Sequence, residues 1–313
     1  TVGGLQITTT ATSNIGLGSN AVDSITTGDY NVGLGDDALT ATTSGHSNTA
    51  NGYKALAANT TANNNTAIGR HSLLTNTTGA DNTAVGRDSM RMNLTGSSNV
   101  GIGYETLYAN TSGAYNVALG ALALDANTTG ARNTATGHSA LTANTTGNYN
   151  TASGFDTLKA NTTGTGNVAI GRDSLMTNTT ASNNTAVGYA SLQLNTTGYH
   201  NTAVGKSALE DNTTGYYNAA FGYHALKLNT TGLQNSAFGY EALYSNTSGN
   251  YNIALGITAL GANTTGNNNV GIGKLALTNN TTASDNTAVG YRSLAANTTG
   301  AGATAVGRDS LYS

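Results

Sequence analysis

The chain of 313 residues has no cysteine, no proline and no tryptophan. Without cysteine there is no disulfide framework, no thiolate zinc site and no thiol nucleophile. Charged residues are only 9% of the sequence, against about a quarter in an ordinary soluble domain. The 12 Lys and Arg are scattered and the pI is near 5.9, which excludes the basic footprint of a nucleic-acid binder. No run of 18 apolar residues occurs, so insertion of a helix into a membrane is not expected. Thr, Asn, Gly and Ala fill the chain instead. Such a polar composition raises the prospect of disorder, and the order of the residues argues against it.

The sequence is one repeat. The Asn that opens Asn-Thr-Ala-Val-Gly and its variants recurs with a 17-residue period from Asn14 to Asn286, and an eighteenth copy opens at Ala303. Positions are numbered 1 to 17 from that Asn. Position 5 is Gly in all 18 copies, position 9 is Leu in 16, and position 12 is Asn in 15 consecutive copies, Asn59 to Asn297. A period kept without insertion or deletion marks a stacked repeat array. The expected fold is mainly all-β: an elongated parallel β-solenoid or β-roll of about 18 coils. The array is expected to be a single one over 1–313, with 1–13 a degenerate partial coil, 14–313 regular and the last coil incomplete.

Within a coil, positions 1 to 5 read as a strand. Position 2 is mostly β-branched, position 4 is mostly Val, Ile, Leu or Phe, and position 3 is always Ala or Gly. Alternation then puts positions 2 and 4 on one face, and position 4 with Leu at 9 is the expected core. Gly at 5 ends the strand, and Asn-Thr-Thr-Gly at 12 to 15 is a turn by composition. Positions 6 to 11 fit either a second short strand, which is favoured, or one helical turn; so short a run does not decide by periodicity. All 27 charges fall at positions 6, 7, 10, 11, 16 and 17, which reads as solvated edges.

Stacking places each position in a column with neighbours about 4.8 Å apart. Asn columns then join amide to amide up the stack. This is the expectation for Asn65, Asn82, Asn99 and Asn116 at position 1, and for Asn59, Asn76, Asn93 and Asn110 at position 12. Asn-Thr-Thr is also an N-glycosylation acceptor; glycans on every coil would crowd one another, so the ladder is the favoured role.

Asn-Thr-Ala-Val-Gly-x-x-Ser-Leu resembles the head repeat of trimeric autotransporter adhesins, and Asn-Thr-Ala-Val-Gly with Asn-Thr-Thr-Gly arrays is similar to bacteriophage tail-fibre repeats. The resemblance spans almost the whole chain. It implies a parallel β-roll, often trimeric, located extracellularly, at a cell surface or in a virion fibre. The longer, 17-residue coil and its regular Leu at position 9 depart from that pattern.

Catalysis is not expected and no cofactor is implied. His46, His71, His138, His200 and His224 fall at scattered coil positions, so no pair shares a metal. The nearest carboxylate pairs, Asp88 with Glu105 and Asp156 with Asp173, stack at position 7 and read as solvated edge. The expected role is a non-enzymatic structural subunit of a fibre whose partners are copies of itself. Copies associate laterally, with a trimer favoured and the small residues at positions 3 and 8 as a flat contact face. They also stack end to end through Val2, Leu5 and Ile7 at one end and Val306, Leu311 and Tyr312 at the other. The alternative is a receptor- or glycan-binding adhesin. Its contacts, or those of lateral packing, are Tyr189, Tyr199, Tyr216, Tyr217, Tyr223 and Tyr240 on the edge columns, where exposed aromatic rings meet sugars or neighbouring chains.

Overall fold

The computed structural model describes residues 5–6 and 13–311, which contain 19 strands and no helix. The protein is an all-β parallel β-solenoid with a 17-residue coil. Its contacts divide into two units, Thr1–Asp156 and Thr157–Ser313. In the first, β1 is Leu5–Gln6 and β2 is Ile15–Leu17; β3 to β10 follow one per coil from Val32–Leu34 to Thr151–Ser153. In the second, β11 to β19 run from Val168–Ile170 to Thr304–Val306. From β2 to β10 and from β11 to β19, each strand pairs in parallel with the next at equal coil positions, as Thr185 with Thr202 and Val187 with Val204.

One coil, Asn201–Tyr217, shows how the backbone is satisfied. Thr202, Leu209, Asp211 and Thr213 donate their N–H groups to the following coil, to Asn218 O, Ala225 O, Lys227 O and Thr230 O at 2.8 to 3.0 Å. Gly205, Ser207 and Tyr217 donate to the preceding coil, to Val187 O, Tyr189 O and Tyr199 O at 2.8, 2.9 and 3.2 Å. Positions 6 to 11 are neither strand nor helical turn. Ser207 and Leu209 have φ of 55° and 51°, and tight turns close through Ala208 N to Gly205 O and Asn212 N to Leu209 O. Left-handed residues at positions 7 and 9 recur coil after coil. An L-residue adopts this conformation at a cost of about 1–2 kcal/mol, offset here by backbone hydrogen bonds and by burial of the Leu.

The core differs from the sequence expectation in one respect. Leu at position 9 is buried, as expected, from Leu39 to Leu294, but in the strand it is position 3 that points inward and position 4 that points out. Ala67 is 0% exposed while Ile68 is 40% exposed. The reason is width. A coil this short leaves room opposite the Leu for little more than a methyl group. A Cβ on Gly271 would lie 3.2 Å from Leu260 Cγ, and one on Gly16 would lie 2.3 Å from Val22 Cγ2. Positions 3 and 8 are therefore interior and form no outer contact face. The outward face of each strand carries positions 2 and 4 instead, with Ile102, Ile170, Phe221, Phe238 and Leu255 exposed.

Ahead of Asn14, residues 5–6 form one further strand, and the rest of the expected partial coil, 1–4 and 7–12, lies outside the described residues. β1 pairs antiparallel with β2, Leu5 opposite Leu17 and Gln6 opposite Gly16. Leu5 thus lies in a strand across the edge of β2 and not at position 9 of a parallel coil. Pairing there closes strand groups that would otherwise be left open.

Candidate functional site

Two Asn columns run through the interior of each unit. At position 12, Asn76 Nδ2 donates to Asn59 Oδ1 at 3.2 Å, Asn93 to Asn76 at 2.7 Å and Asn110 to Asn93 at 2.6 Å. The second hydrogen of each amide goes to the position-15 carbonyl of its own coil, as Asn76 to Gly79 O at 2.9 Å. At position 1 the amide-to-amide contacts are present too, Asn82 Nδ2 to Asn65 Oδ1 at 3.1 Å and Asn99 Nδ2 to Asn82 Oδ1 at 3.2 Å, and the backbone adds a second donor to each of these amide oxygens. Asn82 N donates to Asn65 Oδ1, Asn99 N to Asn82 Oδ1 and Asn116 N to Asn99 Oδ1 at 2.9 to 3.0 Å. The position-1 amide nitrogens also reach the position-15 carbonyl, Asn65 Nδ2 to Gly79 O at 2.9 Å, so one carbonyl accepts from both columns. All eight side chains are 0% exposed, and the Asn76, Asn93 and Asn110 amides spend both hydrogens inside the coil. The folded coil therefore closes the Asn-x-Thr acceptors Asn76 and Asn93 and the Asn-x-Ser acceptor Asn110 to glycosylation.

The aromatic edge of the second unit is built by the same stacking. Tyr199 and Tyr216 stack at 4.9 Å, with their planes 4° apart, and His200 stacks on Tyr217 at 5.1 Å. The two stacks meet edge to face, Tyr199 with His200 at 5.4 Å and Tyr216 with Tyr217 at 5.5 Å. A separate column at position 6 interleaves charge: Lys206 Nζ lies over Tyr189 at 5.8 Å and over Tyr223 at 5.6 Å, and Tyr223 stacks on Tyr240 at 5.3 Å. Ring faces inside a column cover one another and leave edges and hydroxyls to solvent.

His224 packs against Tyr223 at 3.7 Å, a contact that position numbering did not reveal. Burial, reinforced by Lys227, lowers its pKa. Its other charged neighbours are Glu241, with an oxygen 3.9 Å from Nδ1, Glu210 and Lys206. A histidine depressed in the fold takes up its proton more readily when unfolded, so stability falls as pH drops through its ordinary value of about 6.5. The melting temperature at pH 5.5 relative to pH 7.5 is expected to fall less in His224→Asn than in the parent chain. Equal slopes for the two proteins would show that His224 carries no such linkage.

In the first unit the acidic column is held by a histidine and two arginines. Asp88 is nearly buried, with His71 Nδ1 at 3.2 Å, Arg87 Nε at 3.2 Å and Arg91 at 3.4 Å. Arg87 also donates to Tyr104 OH at 2.8 Å and lies 3.9 Å from Glu105. Asp88 and Glu105 are thus linked through one arginine, an arrangement that fixes charges in place. In the second unit Asp173 accepts from Arg172 Nε at 3.1 Å. Among the described residues no three His, Asp or Glu are grouped to hold a metal ion.

Of the residues expected at the chain ends, Val306 and Leu311 are 69% and 58% exposed, and Leu5 lies in β1. Val2, Ile7 and Tyr312 lie outside the described residues. No helix among the described residues is long and apolar enough to cross a membrane. Comparison with protein-family models and with curated proteins finds no match to this chain.

Proposed function

We propose that the protein is a non-enzymatic structural subunit of an extracellular or virion fibre, as its likeness to autotransporter-head and tail-fibre repeats implies, and that copies of it associate side by side, in threes. The outward strand face carries the proposal. It presents an uncharged parallel sheet with Val, Ile and Phe in register, and parallel sheets are almost always covered on both faces. Side-by-side packing through positions 2 and 4 takes the place of the small-residue face expected from the sequence. End-to-end stacking stays part of the proposal at the end where Val306 and Leu311 are exposed; at the other end β1 lies along β2.

Light scattering at micromolar concentration is expected to give a trimer. Val187→Lys with Val204→Lys, both at position 4, places charge on that face and is expected to give a folded monomer with an unchanged circular dichroism spectrum. A parent chain that is monomeric and fully folded removes the proposal.

A second reading, a receptor- or glycan-binding adhesin, is favoured by the exposed aromatic edge from Tyr189 to Tyr240. A glycan array discriminates: strong signals lost on changing Tyr199 and Tyr216 to Ala favour the adhesin, and a blank array for the parent favours the scaffold.

A further inference from the structure

A sugar ring stacks on an aromatic face, and the columns hide their faces. The place to look is therefore a tyrosine whose neighbour in the next coil has no side chain. In the second unit each of Tyr189, Tyr199, Tyr216, Tyr217, Tyr223, Tyr240, Tyr251 and Tyr291 is succeeded one coil later by a residue with a side chain; only Tyr244 is succeeded by glycine, Gly261. On its other side Tyr244 has Lys227, which is tied to Glu210 at 3.4 Å. The break coincides with a notch of about 260 Å³ whose lining includes Tyr244, Glu241, Thr258, Gly261, Thr278 and Asn279.

Gly261 is not there for the backbone. It is absent from the positive-φ residues. The three atoms nearest to a Cβ built on it all belong to Thr258, the closest being Thr258 O at 3.2 Å. Position 10 elsewhere holds Thr40, Thr142 and Thr278. The glycine's effect is to leave the notch open.

We infer that this notch is a binding site for one neutral pyranose ring. Tyr244 offers the apolar wall that the C–H face of a sugar packs against. Glu241 accepts from sugar hydroxyls, Asn279 both donates and accepts, and Thr258 and Thr278 add hydroxyls. The volume falls below the about 300–1,000 Å³ of clefts that take larger ligands, which selects a single terminal ring over a chain. The Glu241 carboxylate, with Glu210 and Asp211 on the same edge, disfavours an acidic sugar. The inference rests on the adhesin reading and gives it a site that the six edge tyrosines named above do not include.

The test uses the full chain and the methyl glycosides of glucose, galactose and N-acetylglucosamine, read by saturation-transfer NMR at millimolar sugar. Transfer to at least one glycoside is expected. Gly261→Thr fills the notch with the residue its column carries at Thr278, and Tyr244→Leu removes the ring; each is expected to cut transfer at least tenfold. Melting curves of both variants are compared with the parent, and Gly261→Thr, at a position without positive φ, keeps the test decisive if Tyr244→Leu is unstable. No transfer to the parent, or undiminished transfer to a folded Gly261→Thr, overturns the site. If sugar binding persists in Gly261→Thr and is lost when Tyr199 and Tyr216 become Ala, the adhesin reading stands and the notch does not.

Discussion

Gly188→Ala is expected to destabilise the second unit by about 4 kcal/mol or more, the range reserved for a few severe mechanisms. Two of them act together here. The φ of Gly188 is 133°, a conformation that side-chain-bearing residues avoid. A Cβ there would also sit 2.6 Å from Gly205 O and 2.7 Å from Gly205 C, and neither atom can move without shifting the next coil. In Gly205 the same relation recurs against Gly222, so strain at one coil has no slack neighbour to absorb it. The sign makes the experiment sharp, since Gly→Ala at a compatible site stabilises by about 0.4–1 kcal/mol. Urea melts monitored by circular dichroism are expected to show a lost or strongly shifted transition. A variant as stable as the parent would mean that the coils do not stack backbone on backbone at position 5.

Asn195→Leu is expected to cost about 3 kcal/mol, although it replaces a polar side chain by an apolar one of similar size in a fully buried site. Asn195 Nδ2 donates to Asn178 Oδ1 at 2.9 Å and to Gly198 O at 2.8 Å, and its Oδ1 accepts from Asn212 Nδ2 at 2.8 Å. The leucine leaves Asn178 Oδ1 and one Asn212 hydrogen unpaired in the interior, at about 1–3 kcal/mol each. Gly198 O keeps its bond from Asn184 Nδ2 at 2.9 Å. Asn195→Asp separates hydrogen bonding from packing. An ionised Asp accepts but cannot donate, and burial penalises its charge. It is expected to be less stable than the leucine variant at pH 8 and to recover as acid restores a donor. An Asp variant with no pH dependence beyond the parent's would count against the ladder as the source of stability.

Much of this was legible in the residues. An unbroken period demanded a stacked array, a Gly in every copy demanded a backbone no other residue tolerates, and buried amides in a charge-free stretch demanded one another. What escaped has physical causes. Hydrophobic alternation placed Val85 and Ile68 inside and Ala67 outside, because the rule assumes a core deep enough for either. Here Leu73 and its equivalents fill the interior, and available width overrides hydrophobicity. Positions 6 to 11 escaped because leucine has no preference for left-handed φ, and no propensity announces Leu209 at 51°. The Tyr244 notch escaped because it depends on the residue one coil further along, which is distant in sequence and adjacent only in the stack.

Near-identity of the coils gives each one a close competitor, itself displaced by a whole period. A segment that slips by one coil meets the same glycine, the same two asparagines and, in nearly every coil, the same leucine, and recovers the hydrogen bonds of both Asn columns. What it loses lies on the variable columns. Tyr199 would face Leu233 in place of Tyr216, Phe221 would face Leu255 in place of Phe238, with which it stacks at 4.8 Å, and Lys227 would lose Glu210. Aromatic pairs are worth about 0.5–1.5 kcal/mol beyond their area, a modest sum for stability. It is enough to choose between two registers whose backbone and Asn-column bonding is the same. The irregular edge thus acts as a set of address marks, telling each coil during folding which neighbour is its own.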